Sequence, residues 1–308
     1  MPGMMILTII RFLFRYTDNR CDLCEKKGMK KFYHVCTKGL EDDVIFRKDT
    51  DYVAGMNFVP ISLLGLAIKI LAFTLMSNHF HFLLYGTYDE VVAFIETYKS
   101  LIGRYSRHTY GVPEILRRIH TGVYAIGDSL EELKQKLAYV LNNPVAAGVN
   151  VFPLLYEWGS GRCYFVECNS RDVQTELSSF TVREQVKMLH SNKRLPQDYR
   201  LRSGYVDPSC YVDCQMVEKL FVRASSLSYY LSKVNRRDST MVLSDGILIN
   251  VVDEILDKQY GGLRPNEMPK ESLGVLVLDL NRRFNASPKQ LARILKLKVQ
   301  DVVAVLKR

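Results

Sequence analysis

Apolar residues recur along the first half of the chain with two periods, one typical of strands and one of helices. Bulky and small residues alternate in KFYHVCTKG, at residues 31–39, which predicts a strand followed by a turn. The run IKILAFTLMSNHFHFLLYG, at 68–86, is rich in strand-forming residues and predicts β-structure with an irregularity near Ser77 and Asn78. Apolar residues then follow at three- and four-residue steps until Gly111, which predicts a long amphipathic helix with a basic end.

Capping residues mark another helix downstream. Ser129 begins it, and Glu132 follows three residues later, as in a capping box. We expect this helix to end at Asn143, because a residue that precedes proline is pushed out of the helical region. Strands and helices therefore alternate irregularly, without a glycine-rich phosphate loop, which favours an α+β sandwich over a doubly wound nucleotide-binding fold.

The second half of the chain has a more polar, helical pattern. The segment from Gln259 to Ser272 is rich in glycine, proline and charge, which predicts a linker. One long and two short helices are predicted after it, with Ser287 capping the second and Pro288 in its first turn. This spacing is typical of a helix-turn-helix whose last helix reads DNA, although a plain packing tail fits the pattern as well.

These patterns divide the chain into five parts. Residues 1–28 form an extension, which is either an appendage or an overcalled start before Met29. An α+β domain is predicted at 29–165, a helical accessory region at 166–258, the linker at 259–271, and the helix-turn-helix-like segment at 272–308.

Charge and cysteine content narrow the function. The 308 residues carry a net charge of +9 with a pI near 9.1, which favours a polyanionic partner such as nucleic acid over a neutral one. Seven scattered cysteines with a single CxxC, at Cys21 and Cys24, predict free thiols in a reducing cytoplasm. The apolar N-terminus is interrupted by Arg11 and Arg15 and is shorter than the ~20 residues of a membrane span, so no membrane association is predicted.

Two of the six histidines, His79 and His81, stand two residues apart in the β-like run. Side chains two apart on a strand share a face, so the two imidazoles could bind one divalent metal, with Phe80 and Phe82 pointing the opposite way into a core. Two histidines packed on a sheet without a metal are the alternative interpretation.

Tyr139 and Asn143 lie four residues apart and therefore on one face of the predicted helix. Together they could present a phenol and an amide oxygen to the same ligand. A tyrosine can attack phosphorus when a metal stabilises the developing charge on the phosphoryl oxygens. By itself, a helical tyrosine is more typical of a core or its rim.

In combination, these motifs resemble a known family. The histidine segment AFTLMSNHFHFLL, the long basic helix and YVLNNPVAAGV at 139–149 resemble, in this order, the HUH transposases with one catalytic tyrosine, of the REP-associated tyrosine transposase kind. The segments FYHVCTKGLEDDVIFRKDTDYV and YEWGSGRCYF are also similar, so the resemblance spans residues 29–165. VPEILRRIHTGVYAI, at 112–126, departs from the family because it lacks a tryptophan-containing LWQGRF-like pattern.

The resemblance implies a fold, a site and a reaction. It implies a ferredoxin-like antiparallel sheet with packed helices, on which His79, His81 and Asn143 hold Mg²⁺ or Mn²⁺. Tyr139 would be the nucleophile that cleaves single-stranded or hairpin DNA, giving a 5′-phosphotyrosine and a free 3′-hydroxyl that strand transfer can rejoin. The implied activity is that of a DNA transposase, acting in transposition and recombination without a nucleotide cofactor.

Basic residues at the end of the long helix are candidate DNA contacts. Lys99, Arg104 and Arg107 could bind backbone phosphates, since backbone charge dominates nucleic-acid affinity; a solvated helix face is the alternative. Members of the family occur as monomers and as homodimers, so both states fit.

Three other functions remain compatible with the sequence to different degrees. A domesticated relative could bind or nick chromosomal repeat hairpins without mobilising itself. A non-catalytic DNA-binding regulator is disfavoured by the intact histidines and tyrosine. A zinc hydrolase would need a third strong ligand, and no HExxH motif supplies one.

Overall fold

The computed structural model describes residues 28–38, 44–111, 120–147, 149, 152–166, 175–234, 245–284 and 286–307. The predicted N-terminal extension therefore lies outside the described residues, apart from Gly28. In the α+β part, the elements are β1 (Lys31–Lys38), α1 (Asp49–Leu63), β2 (Lys69–Leu75), β3 (Phe80–Gly86), α2 (Tyr88–Tyr110), β4 (His120–Ala125) and α3 (Leu130–Ala146).

Shorter elements follow in the second half. They are β5 (Thr175–Glu176), α4 (Val182–Leu189), β6 (Arg200–Arg202), β7 (Tyr205–Val206), α5 (Cys214–Phe221), α6 (Ala224–Val234), α7 (Asp245–Gln259), α8 (Lys270–Phe284), α9 (Pro288–Leu295) and α10 (Val299–Leu306). The last three are the long helix and two short helices that the sequence predicts, and Ser287 accepts the backbone N–H of Gln290 as the cap of α9.

The α+β prediction is confirmed by a four-stranded antiparallel sheet with the strand order β2-β3-β1-β4. The central pair places Cys36 of β1 directly opposite His81 of β3. The predicted run at 68–86 is two strands, because a turn joins Leu75 to Phe80 and the Met76 N–H donates to the His79 carbonyl at 2.8 Å. His79 thus lies in the turn, one residue before β3, and not within the strand as its pattern predicts.

The helix α2 agrees with its predicted limits because both of its ends are fixed by local chemistry. Thr87 and Glu90 form a reciprocal capping box at the start. Gly111 ends the helix in the left-handed region at φ 67°, which glycine adopts without a Cβ clash.

The helix α3 begins at the predicted cap, Ser129, but its predicted end is wrong. It passes through Pro144 and continues to Ala146. A proline inside a helix removes the N–H that would bond the carbonyl four residues earlier, here that of Val140. That carbonyl instead accepts Thr74 Oγ1 at 2.9 Å and Asn143 Nδ2 at 3.3 Å, so the helix continues without an unsatisfied carbonyl.

The two faces of the sheet are covered by different helices. On one face, Phe80 and Phe82 are fully buried and contact Tyr98 of α2, each with ring centroids 5.2 Å apart. On the other face, α3 packs along β2 and β3 and carries Tyr139 towards the histidines. The predicted separation of Phe80 and Phe82 from His81 is confirmed.

The buried apolar residues within the described segments form two clusters. The larger contains the sheet and also residues from the second half of the chain, such as Leu177, Val217 and Leu227. The smaller lies within 248–306 and is built from α7 to α10 together with Met268. No helix in the described part of the chain is long and apolar enough to cross a bilayer.

Candidate functional site on the histidine face

Three side chains capable of binding a metal lie together on the face of the sheet beneath α3. His34 and Cys36 are two apart on β1, and His81 is the cross-strand partner of Cys36 on β3, so strand geometry puts all three on one face. One potential ligand atom from each lies within 4.8 Å of the others, and all three residues are buried. His34 Nε2 and His81 Nδ1 share a hydrogen bond of 3.0 Å.

His79 extends this group at the turn between β2 and β3. Its ring centroid lies 5.0 Å from that of His81, with the rings perpendicular. Its Nδ1 is 2.7 Å from the side-chain oxygen of Asn78, and the side chain of Asn143 on α3 lies close enough to interact with it. The structure therefore brings the two predicted histidines and Asn143 together, although His79 is not part of the strand.

Tyr139 closes the site from above. Its ring meets His34 edge-on with centroids 5.7 Å apart and His81 edge-on at 5.6 Å. Asn143, one turn later, donates its Nδ2 to the Tyr139 carbonyl at 2.8 Å, so its amide oxygen is the atom that faces His79. A neutral His79 has one N–H, so it can donate to the Asn78 oxygen or to the Asn143 oxygen but not to both at once. The helix face that carries the phenol and the amide thus meets the strand face that carries the imidazoles.

Burial keeps the imidazoles neutral. Desolvation lowers the pKa of His34 to about 3 and that of His79 to about 4, and for His79 the nearby Arg293 guanidinium lowers it further. The pKa of His81 is well below its ordinary value for the same reason, with smaller contributions from the two neighbouring histidines. Neutral imidazole is the form that binds metal ions.

Lys136 brings a positive charge to the same place. It lies one helical turn before Tyr139, and its Nζ is 5.3 Å from the centroid of the Tyr139 ring. Burial lowers the pKa of Lys136, and burial together with the Cys36 thiol raises the pKa of Tyr139. The phenol is therefore protonated in the free protein, and a cation beside it would favour its ionised form.

The C-terminal helices reach the turn that holds His79. Ser77 donates to Asp245 at the start of α7 at 2.5 Å, and both side chains are buried. Arg293 of α9 binds the same carboxylate through two contacts of 2.6 and 2.9 Å, and Gln290 adds a third at 2.9 Å. This network fixes the turn against the smaller core and places a guanidinium near His79.

The side chains at the site fit the predicted ion. His79, His81 and Asn143 offer two neutral imidazoles and an amide oxygen, all on one side of the sheet. Imidazole nitrogen suits transition metals, and amide oxygen suits Mn²⁺ and Mg²⁺, so the mixed set fits Mn²⁺ best and Mg²⁺ with additional oxygen ligands.

The three predicted DNA contacts are not brought to this site. Lys99, Arg104 and Arg107 lie on α2, which packs on the opposite face of the sheet through Tyr98. Arg104 and Arg107 are exposed, while Lys99 is mostly covered and pairs with Glu96 at 3.2 Å.

Several site residues escaped the sequence prediction. His34 and Cys36 show the same two-residue spacing as His79 and His81, but their strand partner depends on a register that only the fold supplies. Lys136 could have been identified from the sequence, because it lies three residues before Tyr139 and therefore on the same face of the helix. Asp245 and Arg293 are 48 residues apart and carry no local signal.

Comparisons with known proteins add little to this geometry. No protein-family model matches the chain. No curated protein matches it either. A solved structure described as a REP-associated tyrosine transposase bound to a REP hairpin aligns with 57% of this chain and 94% of its own, at 12% identity and a TM-score of 0.32. Similarity at that level is too low to establish a shared fold or function, so any functional assignment depends on the geometry of the site itself.

Proposed function

We propose that the protein is a metal-dependent enzyme that cleaves single-stranded or hairpin DNA through Tyr139 and transfers the cleaved strand. The observation that supports this most directly is the position of the Tyr139 ring against both His34 and His81, with Asn143 of the same helix close to His79. A phenol, two neutral imidazoles and an amide oxygen thus lie near one another on the same side of the sheet. This is the set of groups that phosphoryl transfer to tyrosine requires.

In this proposal, His79, His81 and Asn143 would hold a divalent ion, Mn²⁺ or Mg²⁺. The ion would supply positive charge to the phosphate oxygens. The bond from His34 to His81 Nδ1 fixes the orientation of the His81 ring and directs its other nitrogen away from β1.

Tyr139 would attack phosphorus through its phenolic oxygen and lose its proton in doing so. The bond to the 3′-oxygen of the preceding nucleotide breaks, and that oxygen takes up a proton in place of the one that the phenol loses, which leaves a 5′-phosphotyrosine and a free 3′-hydroxyl. Lys136 beside the Tyr139 ring would stabilise the charge that develops on the phenolate. The reverse reaction with another 3′-hydroxyl would join new ends, since the phosphotyrosine bond conserves the energy of the original link.

We further propose that the sheet is ferredoxin-like, since its strand order and its β-α-β-β-α-β succession agree with that topology. Residues 272–308, whose described helices lie within the smaller C-terminal core, would form the helix-turn-helix-like unit, with α10 as the candidate reading helix. Lys99, Arg104 and Arg107 would bind DNA backbone that passes to the far side of the sheet, away from the cleaved phosphate.

The test is the formation of a covalent adduct. The full chain is incubated with a labelled library of single-stranded hairpins and Mn²⁺, and adducts that survive denaturation are counted. We expect Tyr139→Phe to abolish them and His79→Ala to reduce them sharply. Tyr124→Phe is the matched control, because Tyr124 also lies against His34, with ring centroids 6.4 Å apart.

Three results would contradict the proposal. An adduct that persists in Tyr139→Phe but disappears in Tyr124→Phe would move the nucleophile to β4. Tight hairpin binding by the unmodified protein without any adduct in Mn²⁺ or Mg²⁺ would favour the non-catalytic regulator. Nicking of chromosomal repeat hairpins without strand transfer would favour the domesticated relative.

A further inference from the structure

A second set of ligands overlaps the proposed catalytic ion site and has a different chemistry. His34, Cys36 and His81 supply two imidazoles and a thiol, whereas the catalytic set contains no sulfur. Thiolate is a soft ligand that selects Zn²⁺ and similar ions and is poorly suited to Mg²⁺. The two sets share only His81.

We propose that His34, Cys36 and His81 form a binding site for one Zn²⁺ ion, with a fourth position open to a small ligand or to water. This inference builds on the proposed function only through the shared His81, and the zinc site does not require that the reaction occurs.

The distances suit such a site. Tetrahedral zinc with Zn–N near 2.0 Å and Zn–S near 2.3 Å places its ligand atoms about 3.5 Å apart. The three ligand atoms here lie within 4.8 Å of one another, and the His34 and His81 nitrogens are already 3.0 Å apart. Small side-chain rotations would close the remaining gap, since the backbone of the two paired strands already holds the three residues on one face.

The environment also suits a thiolate ligand. All three residues are buried in the sheet, and Lys136 lies close enough to interact electrostatically with Cys36 and with both imidazoles. The fourth position would face α3, where the Tyr139 ring meets both histidines edge-on. On binding, the Cys36 thiol loses its proton to solvent and the Zn–S bond forms, without any change of oxidation state.

Because His81 belongs to both ligand sets, zinc binding should affect the proposed reaction. His81 cannot serve a three-ligand zinc site and the pair with His79 equally well, because the two sites draw its ring towards opposite partners. Zinc would therefore compete with Mn²⁺ and inhibit adduct formation, with the thiol of Cys36 determining the preference for zinc.

Cobalt is the probe, because a Co²⁺–thiolate bond gives a charge-transfer absorption that nitrogen and oxygen ligands do not. The full chain is used with Cys21 and Cys24 both changed to serine, since that CxxC pair lies outside the described residues and could bind cobalt itself. We expect one Co²⁺ to bind per chain with a thiolate band and with release of about one proton. An equivalent of Zn²⁺ should then displace the cobalt without further proton release.

Variants locate the ion. Cys36→Ser and Cys36→Ala are expected to lose the band and to weaken zinc binding more than ~100-fold, and His34→Ala to weaken it similarly. Cys214→Ser is the matched control, because Cys214 lies beside another thiol, Cys163, elsewhere in the protein. Circular dichroism of each variant shows whether it is folded. Two different substitutions of Cys36 are used so that the test still applies if one of the variants does not fold.

The outcomes separate the two proposals. A band that persists in both Cys36 variants, or no thiolate band in the unmodified site, overturns the zinc site. Loss of the band in Cys214→Ser but not in Cys36→Ser also overturns it. Failure of the proposed function is seen in a different measurement, the absence of a Mn²⁺-dependent adduct, and Tyr139→Phe is expected to abolish that adduct while retaining the cobalt band.

Discussion

The two faces of strand β3 differ by one residue step and serve different purposes. Phe80 and Phe82 point into a core of aromatic rings beneath α2 and are fully buried. His81, between them in sequence, points to the opposite face, where it meets His34 and Tyr139. A strand anchored so firmly on one side can hold an imidazole on the other in a fixed position, which is what a preorganised site requires.

The helices that cover the two faces also differ, because α2 packs on the aromatic side chains and α3 packs over the histidines. The long helix α2 has a basic end and the stronger sequence signal, yet it lies against the aromatic face. The helix α3 carries less positive charge and positions Tyr139, Asn143 and Lys136 over the histidines. Positive charge on a helix therefore marks a surface without showing which face of the fold carries the proposed site.

The largest expected effect is a loss of protein stability when a ring of the aromatic face is removed. Phe82→Ala removes a ring that contacts Phe73, Phe94 and Tyr98, and it should cost about 3–5 kcal/mol in the free energy of unfolding. Urea denaturation followed by circular dichroism measures it. The exposed Phe152 is the matched control, and Phe152→Ala should change stability by less than about 0.5 kcal/mol. Equal losses in the two variants would show that the aromatic face does not anchor the strand.

The next effect concerns activity on the other face. His81→Ala removes the imidazole that both His34 and Tyr139 contact, and we expect adduct formation in Mn²⁺ to fall by ~100-fold or more. Its unfolding free energy should decrease less than that of Phe82→Ala, because no large apolar ring is lost. His108→Ala, on the exposed end of α2, is the control and should retain full activity. A His81→Ala variant as active as the control would place the metal elsewhere.

Local signals in the sequence are enough to predict the helices that have caps. Thr87, Glu90 and Gly111 fix α2 through contacts within a few residues, so its limits could be predicted. The same reasoning fails at Pro144, because the bond that satisfies the Val140 carbonyl comes from Thr74 on a distant strand. Rules based on neighbouring residues fail where a residue distant in sequence supplies the hydrogen bond that stabilises the local conformation.

The site could be predicted only in part for the same reason. Spacing and resemblance identify His79, His81, Tyr139 and Asn143, and the fold brings them together. Cys36 becomes relevant only through its register opposite His81, which no pattern along one strand contains. The faces occupied by α2 and α3 likewise depend on the path of the whole chain.

The neutral histidines should make the protein sensitive to acid. The pKa of His34 is about 3 in the fold and 6.5 in the unfolded chain, so below pH 6.5 the unfolded state binds a proton that the fold excludes. Stability is therefore lost as pH falls from about 6.5 towards 3, by about 1.4 kcal/mol per pH unit for each such group. Denaturation at pH 6 and pH 4.5 in EDTA measures the slope. His34→Gln should reduce it by one group's share, and an unchanged slope would show that His34 is protonated in the fold.

The smallest expected effect separates the charges of the two helices. Each phosphate contact contributes about 0.7 to the slope of log affinity against log salt for single-stranded nucleic acid. Changing Lys99, Arg104 and Arg107 together to glutamine should reduce the slope by about 1.4. This corresponds to the loss of two phosphate contacts and not three, because Lys99 is already paired with Glu96. At saturating DNA, the rate of adduct formation should not change, since α2 lies across the sheet from Tyr139.

Lys136→Gln is the comparison for the triple variant, because Lys136 lies beside the Tyr139 ring. It should reduce the salt slope by about 0.7 at most and also slow adduct formation at saturating DNA. Fluorescence anisotropy across a salt series gives the slopes, and the denaturation-resistant adduct gives the rates. A triple variant that is slow at saturating DNA, with Lys136→Gln unaffected, would reverse the assignment of the two faces and place the cleaved phosphate against α2.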